Sequence, residues 1–201
     1  MSAIVKIDLD SLISSGEKLI IELGCGARKK KGRIGIDAVD LPGVDIVADL
    51  ENGLAFLPDN SVDQIYCRHF LEHIKNFESL MAEIVRVLKK DGTAHISVPH
   101  FSSPHYYSDY THVRFFGLYT FYYFADYENQ LRRKVPNFYT DIRIRILSQR
   151  LVFTSSFKMI KPLKKLFGWF INLNTIFKEY YEENLCYIFP CHGIEIVFTP
   201  A

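Results

Sequence analysis

The sequence predicts an α/β domain built on a mostly parallel sheet, and three observations lead to this prediction. A short apolar run, residues 19–23, enters the glycine-rich turn 24–26, and a second β-like run ends at Asp37. That order of strand, glycine turn, strand and acid builds a nucleotide site at the carboxyl edge of a parallel sheet. Apolar and polar residues alternate over 141–153, which predicts a half-exposed strand. We expect the final segment, 193–200, to pair with it as a closing antiparallel hairpin.

The turn has the residue types that a ligand loop needs. Gly24 and Gly26 let the backbone approach a ligand closely because no Cβ intervenes. The carboxylate of Asp37 can accept hydrogen bonds from both hydroxyls of a ribose. By itself a Gly-x-Gly after a strand equally fits a turn with no special function, so the rest of the chain has to decide.

Further β-like runs follow in a characteristic order. Residues 44–48 end at Asp49-Leu50, residues 62–67 lead into Phe70-Leu71-Glu72-His73, and a helical segment containing EIVRVLKKDG precedes a strand over 93–98. Residues 18–100 thereby resemble the class I S-adenosylmethionine (SAM)-dependent methyltransferases, in particular the branch whose motifs read DxI…LEH and RVLKPGG. This chain has Lys-Asp-Gly where the branch often has Pro-Gly-Gly, and we expect residues 89–92 to end the helix.

The resemblance implies a fold, a cofactor and its site. The fold would be a Rossmann-like, seven-stranded, mostly parallel sheet with a C-terminal antiparallel hairpin and helices on both faces. Residues 1–201 would form one domain with an acceptor-site insertion at about 99–128 and a helical insertion at about 155–190. SAM would be the cofactor and S-adenosylhomocysteine the product. The implied cofactor-binding residues are Glu22, Gly24, Cys25, Gly26, Asp37, Asp49, Leu50 and His69. For Asp49 an alternative is that its side chain caps a short helix.

The chain departs from the resembled family after the glycine turn. Only residues 27–32 separate the turn from the next strand, which is too short for a two-turn helix with its connections. In the resembled family a helix follows this turn, and its N-terminus stabilises the methionine carboxylate of SAM. Arg28 and the lysines at 29–31 are candidates to replace it, although a solvated basic loop explains most of them equally well.

The segment from Pro99 concentrates titratable side chains among aromatic residues, as small-molecule pockets do. We assign the acceptor side of the reaction to His69, His105, Asp109, His112 and Arg114. Three interpretations stay open: a histidine acts as general base, a divalent ion binds among His100, His105, Asp109 and His112, or the segment is a structural lid. We favour the base and assign no metal site. His95, in the middle of a strand, is expected to be a packed core histidine.

Composition limits the class of protein without naming an acceptor. The 201 residues are 48% hydrophobic with a net charge of +1, which fits one globular domain and supplies no general attraction to nucleic acid. Four widely spread cysteines favour a reduced, cytoplasmic chain over a disulfide framework. No apolar run approaches the roughly 18 residues that span a bilayer, so we expect a soluble protein, either monomer or homodimer.

Residues 155–190 combine lysines with Trp169 and many other apolar side chains. Such a segment can contact an anionic membrane surface, close the active site or form a dimer face. Pro162 and Gly168 are expected to interrupt any single long helix here.

From these observations we expect an O-methyltransferase acting on a small polar acceptor in surface-saccharide or phospho-metabolite biosynthesis. Basic residues over 132–165 keep an RNA or tRNA methyltransferase as an alternative, although a nucleic-acid partner is not favoured. A non-catalytic SAM-binding partner subunit is a further alternative.

Overall fold

The computed structural model describes residues 3–201, which are organised around one eight-stranded sheet. The strands are β1 (Ile4–Val5), β2 (Ile20–Leu23), β3 (Ile34–Asp37), β4 (Ile46–Val47), β5 (Val62–Arg68), β6 (Leu88–Pro99), β7 (Ile144–Val152) and β8 (Gly193–Pro200). They lie in the order β1-β4-β3-β2-β5-β6-β8-β7. Strands β4, β3, β2, β5 and β6 are parallel, and β8 runs antiparallel to both β6 and β7. The predicted Rossmann-like sheet and its C-terminal hairpin are confirmed, with one more strand than expected.

Five α-helices and several 3-10 turns connect the strands. The helices are α1 (Leu9–Ser14), α2 (Phe77–Val87), α3 (Pro104–Ser108), α4 (Lys161–Ile171) and α5 (Thr175–Asn184). Between β2 and β3 there is only a 3-10 turn, Gly26–Arg28, as the short connection predicts. Within residues 3–201 no helix is both long enough and apolar enough to cross a bilayer.

The two faces of the central strands differ in burial. Ile65, Ile96 and Val98 point into the main hydrophobic core and are at most 2% exposed. On the opposite face Tyr66 and His95 are only half-buried and stack on each other with ring centroids 4.6 Å apart. His95 is therefore not the packed core histidine that its strand position predicted, because no full helix in the β2–β3 or β3–β4 connection covers this face.

The boundary between α2 and β6 also differs from the prediction. Residues 89–92 were expected to end a helix, but α2 already ends at Val87 and the next residue is extended. Residues 89–92 instead lie in the first half of β6, at an irregular pairing with β5. The ammonium of Lys89 lies 2.8 Å from Asp63 on β5. The lysines that looked like a helix terminus thus contribute to joining two strands.

Residues 155–190 contain α4 and α5. Pro162 lies in the first turn of α4, where a missing N–H is tolerated. Gly168 does not interrupt α4, contrary to expectation, but is buried inside it. A Cβ at Gly168 would lie 2.8 Å from the Phe153 ring, so the glycine allows α4 to approach β7 closely.

A buried polar contact fixes α5 against the segment that follows β6. His100 is fully buried, and its Nε2 donates to the carboxylate of Glu182 at 3.0 Å. The same carboxylate oxygen accepts the backbone N–H of Leu118. The Nδ1 of His100 accepts from the backbone of Ser102. His100 is thus held in the interior, away from any acceptor. The divalent-ion site considered from the sequence, which included His100, is therefore not formed.

Replacing Glu182 tests how much this contact contributes to stability. Glu182→Ala would leave the His100 Nε2–H and the Leu118 N–H without an acceptor, and we expect a loss of about 2–4 kcal/mol in the free energy of unfolding. Glu183→Ala is the matched control, because Glu183 is the exposed neighbour; its effect should stay within about 0.5 kcal/mol. Urea unfolding measures both, and equal effects of the two variants would contradict the interpretation.

Candidate cofactor and acceptor sites

The glycine turn that follows β2 packs against the segment that follows β5. Gly24 and Gly26 have φ values of 61° and 53°, in the left-handed region that favours glycine. A Cβ on Gly24 would lie only 2.4 Å from the ring of Phe70. Gly24 is therefore required both by its backbone conformation and by this close approach, and the turn stays open to a ligand at Gly26.

The acid at the end of β3 lies at the same turn. One carboxylate oxygen of Asp37 accepts the backbone N–H of Gly26 at 2.8 Å, and the other accepts that of Val39 at 3.0 Å. Each oxygen keeps a further lone pair for a ligand hydroxyl. The structure thus brings together the two features, Asp37 and the glycine turn, on which the predicted nucleotide site depends.

Glu22 and the basic residues near it mainly stabilise the connection between β2 and β3. The carboxylate of Glu22 is almost fully buried and accepts from the backbone of Lys30 and from the guanidinium of Arg33. Lys29 forms an ion pair with Asp45. Arg28 is exposed and lines the pocket beside the glycine turn. Among the basic residues predicted to replace the missing helix N-terminus, Arg28 therefore lies at a pocket that a carboxylate ligand can enter.

The first pocket has a volume of about 490 Å³. It is lined by Glu22, Gly24, Cys25, Gly26, Ala27, Arg28, Arg68 and His69. Burial, followed by the charges of Asp37 and Glu22, raises the pKa of Cys25 to about 11, so this thiol is protonated at neutral pH and is not a nucleophile. All four cysteines are free and buried.

Asp49 caps the 3-10 turn Leu50–Asn52 by accepting the backbone N–H of Glu51 at 3.1 Å. The capping alternative for Asp49 is thereby observed. Its contact with an adenosine, and that of the Leu50 backbone, stay predictions.

A second pocket, of about 310 Å³, lies where β5 and β6 end. Its lining consists of His69, Glu72, His73, Pro99, Ser103, His105, Asp109, His112 and His192. His69 lines both pockets and has a φ of 51°, an uncommon conformation for a residue with a side chain. The two pockets therefore adjoin at His69.

Three histidines form the side of the second pocket nearest to the first. The ring of His192 lies 6.4 Å from that of His69 and 5.7 Å from that of His105, measured between centroids. Burial, followed by the charges of His105, His69 and Lys164, holds the pKa of His192 below its usual range. His192 is therefore neutral at neutral pH and able to accept a proton.

Sequence reasoning did not select His192 as a site residue. It directly precedes β8, and an antiparallel strand begins at the edge where its parallel neighbours end. The signal was thus available once the hairpin was predicted, because the residue before the last strand must lie at the ligand-binding edge.

The other side of the second pocket contains Glu72, His73, Asp109 and His112. Glu72 is 1% exposed. The Nε2 of His112 lies 3.6 Å from a carboxylate oxygen of Asp109 and 4.0 Å from one of Glu72. Hydrogen bonds from the backbone and hydroxyl of Thr111 hold the pKa of Asp109 below its usual range. Three of the predicted acceptor-side residues, His105, Asp109 and His112, thus share this pocket with His69.

Arg114 does not reach the pocket. Its guanidinium donates to the carbonyl oxygen of Lys75 at 2.9 Å and lies over the ring of Phe77. In this position Arg114 joins the segment before α2 to the segment that follows β6. None of these contacts supports its predicted role in binding an anionic acceptor.

Comparison with known proteins finds a family model that matches part of the chain. A family model described as a methyltransferase domain matches residues 22–96, the part of the chain that contains the glycine turn, Asp37 and His69. The match covers just over a third of the chain and supports SAM-dependent methyltransferase activity. No curated protein matches it closely enough to be informative.

Solved structures agree on the fold. A SAM-dependent methyltransferase from Archaeoglobus fulgidus is 18% identical with a TM-score of 0.52, covering 95% of this chain and 90% of that one. A putative methyltransferase from Bacillus halodurans is 15% identical with a TM-score of 0.54, covering 96% and 99%. A putative methyltransferase from Haloferax volcanii, solved with the Trm112 methyltransferase activator, is 12% identical with a TM-score of 0.52, covering 96% and 88%.

The residues of the methyltransferase fit SAM. The glycine turn is open at Gly26, where a Cβ would meet no atom within 4 Å, and Asp37 is fixed at its edge by the Gly26 N–H. The adjoining pocket is lined by four small residues and by the cations of Arg28 and Arg68, among others, which suits a ligand with a carboxylate at one end.

Asp37→Asn tests the contact with the ribose. Because hydrogen bonds to a charged acceptor are worth about 1.5–3 kcal/mol, we expect the affinity for S-adenosylhomocysteine to fall about 10- to 100-fold. Titration calorimetry measures this. Asp40→Asn is the control, since Asp40 is exposed and pairs only with Lys6 at the surface. Unchanged affinity in Asp37→Asn would place the ribose elsewhere.

Proposed function

We propose that this methyltransferase acts on a hydroxyl oxygen of a small polar acceptor, with a surface saccharide as the preferred class. The observation that supports this proposal is the histidine-lined pocket that adjoins the glycine-turn pocket at His69. Polar, titratable groups that converge in a pocket of this size suit a hydroxylated small molecule.

When bound, SAM supplies an electrophilic methyl group and is converted to S-adenosylhomocysteine. The residues of the chain then have two tasks, which are to position the acceptor oxygen in line with the methyl carbon and to accept its proton. The new O–C bond forms as the S–C bond breaks, and the hydroxyl proton passes to a neutral imidazole.

His105 and His192 are the proposed bases. Both line the second pocket next to His69, on the side where the two pockets adjoin. The depressed pKa of His192 keeps its imidazole neutral at the pH of the reaction. Activity should therefore fall on acidification only at a pH below that expected for an ordinary histidine.

Replacing these histidines tests the base. His192→Ala and His105→Ala should each be compared with the wild type, and the variant that lacks the base should lose about 10²- to 10⁴-fold in kcat with unchanged affinity for S-adenosylhomocysteine. The assay follows S-adenosylhomocysteine release with a panel of sugars and sugar phosphates. His95→Ala is the control, because His95 lies on the open sheet face. If the double variant His105→Ala/His192→Ala keeps full activity, neither residue is the base.

The RNA alternative gains no support from the basic tract. Arg132 pairs with Glu179, and Arg143 pairs with Asp126, so part of its charge is neutralised within the chain. The non-catalytic alternative is distinguished by turnover, since a partner subunit would bind S-adenosylhomocysteine and methylate no acceptor.

We further propose that the enzyme meets its acceptor at an anionic membrane surface. Around α4 a group of apolar side chains is exposed, which we call the α4 surface: Phe157, Met159, Leu163, Leu166, Trp169 and Leu173. Met159 is 93% exposed and Trp169 62%, whereas single exposed apolar residues are the norm on soluble proteins.

Charge favours lipid over another protein chain as the occupant of the α4 surface. Residues 155–178 contain five lysines and no acid, and Lys158, Lys161 and Lys165 are exposed. An apolar surface with a wholly cationic border matches a membrane with anionic headgroups. The ammonium of Lys164 lies 3.5 Å from the carbonyl of Pro190, two residues before His192, so the surface lies beside the acceptor pocket.

Vesicle sedimentation tests the α4 surface. We expect binding to phosphatidylglycerol vesicles and little to phosphatidylcholine, and a loss of about tenfold or more for Lys158→Glu/Lys161→Glu, since each lysine contributes about 1 kcal/mol. Leu166→Ser/Trp169→Ser should reduce binding as well. Phe138→Ser is the control, because Phe138 is 72% exposed but lies outside the surface. Equal binding to both lipids, or a stable dimer that buries Trp169, would overturn this proposal.

A further inference from the structure

We propose that Glu72, His73 and His112 form a binding site for a divalent transition-metal ion such as Zn²⁺. Each residue offers one ligand atom, and these atoms lie within 4.8 Å of one another. The set differs from the one considered from sequence, which relied on the buried His100 and excluded Glu72 and His73.

The hydrogen bonds of His73 and His112 involve the Nδ1 atoms and leave the Nε2 atoms available to an ion. The Nδ1 of His112 donates to the backbone carbonyl of Tyr106 at 2.9 Å, which requires a proton on Nδ1 and, in the neutral tautomer, places the lone pair on Nε2. A backbone carbonyl in this role is the usual means by which proteins orient a metal-binding histidine.

His73 is oriented through a hydroxyl and a carboxylate. The hydroxyl of Thr111 donates its single proton to Asp109, so the same oxygen must accept from the Nδ1–H of His73, which lies 2.9 Å away. The Nε2 of His73 therefore also carries a lone pair. Both rings are thus oriented before any ion binds, with Nδ1 engaged in a hydrogen bond and Nε2 available.

Glu72 supplies the observation that points to a cation. Its side chain is 1% exposed, and among residues 3–201 its Oε2 has no hydrogen-bond partner. The other oxygen lies 3.4 Å from His69 and 4.0 Å from the Nε2 of His112. A buried carboxylate with an unpartnered oxygen is costly, and a cation bound to the oxygen that lies near His112 would offset part of the cost of burying this charge.

The backbone holds the two halves of the site together. The N–H of Val113 donates to the carbonyl of Glu72 at 2.9 Å, so the segment of His112 is fixed beside that of His73. With Zn–N bonds of about 2.0–2.1 Å, tetrahedral ligand atoms lie about 3.4 Å apart. Side-chain rotations that bring the ligand atoms about 1 Å closer complete the site.

Two imidazoles with one carboxylate form a donor set that Zn²⁺ and Fe²⁺ accept, with positions left for a substrate. These positions face the pocket that also contains His105 and His192. An acceptor hydroxyl bound to the ion would lose its proton more readily to a neighbouring imidazole. This last role rests on the proposed function, whereas binding of the ion does not.

Metal uptake by tag-free protein tests the site. After dialysis against EDTA and then buffer, titration with ZnCl₂ alone should show one ion per chain by calorimetry, and elemental analysis should confirm the stoichiometry. His73→Ala/His112→Ala should abolish this uptake. Thr111→Val, which removes the hydroxyl that orients His73, should weaken it about 10- to 100-fold. His105→Ala is the matched control, a histidine of the same pocket that should bind the ion as the wild type does.

The affinity for S-adenosylhomocysteine shows whether each variant is folded, because its site lies at the glycine turn. A wild-type chain that takes up no stoichiometric ion, or a folded double variant that retains it, would overturn the proposal. Uptake by the wild type that the folded double variant loses supports the metal site even when no acceptor is methylated, and in that case the proposed function alone fails.

Discussion

The arrangement of this methyltransferase depends on the close approach of two chain segments at the carboxyl edge of the sheet. The ring of Phe70 occupies the space that a Cβ would take at Gly24, so the turn after β2 and the segment after β5 are in direct contact. His69, one residue before that contact, consequently lines both pockets. Any side chain at Gly24 would collide with this ring and force apart the two segments, and with them the two pockets that adjoin at His69.

Around this edge, polar side chains are oriented before a ligand arrives. Asp37 is held by backbone N–H groups of Gly26 and Val39, and His112 by the carbonyl of Tyr106. Because these groups are already satisfied in one conformation, a ligand does not have to pay the entropy of ordering them. Glu72 and Ser103 are exceptions, since each has a buried oxygen with no partner within the described chain. Of the two, only Glu72 carries a charge, and this imbalance distinguishes the proposed ion site from an ordinary histidine cluster.

The apolar side chains of the two insertions differ in the same way, in that one group is packed and the other is not. The aromatic residues of the acceptor-site insertion, such as Phe116 and Phe121, are fully buried against the core, whereas Trp169 and Met159 on the α4 surface are exposed. Hydrophobic composition alone does not separate these two groups. What separates them is that His100 and Glu182 tie the first insertion to α5, while one face of α4 is covered by no other element of residues 3–201.

The sequence by itself determined the parallel sheet, the glycine turn with Asp37 at its edge, the missing helix and the closing hairpin, because each follows from local periodicity and turn chemistry. Only the tertiary structure decided which histidines meet. It buried His100, placed His95 on an open face and brought the ring of His105 to within 5.7 Å of that of His192. Contacts between residues 80 or more positions apart depend on how the strands are ordered and how the insertions pack. That information resides in long-range packing, which no local pattern in the chain encodes.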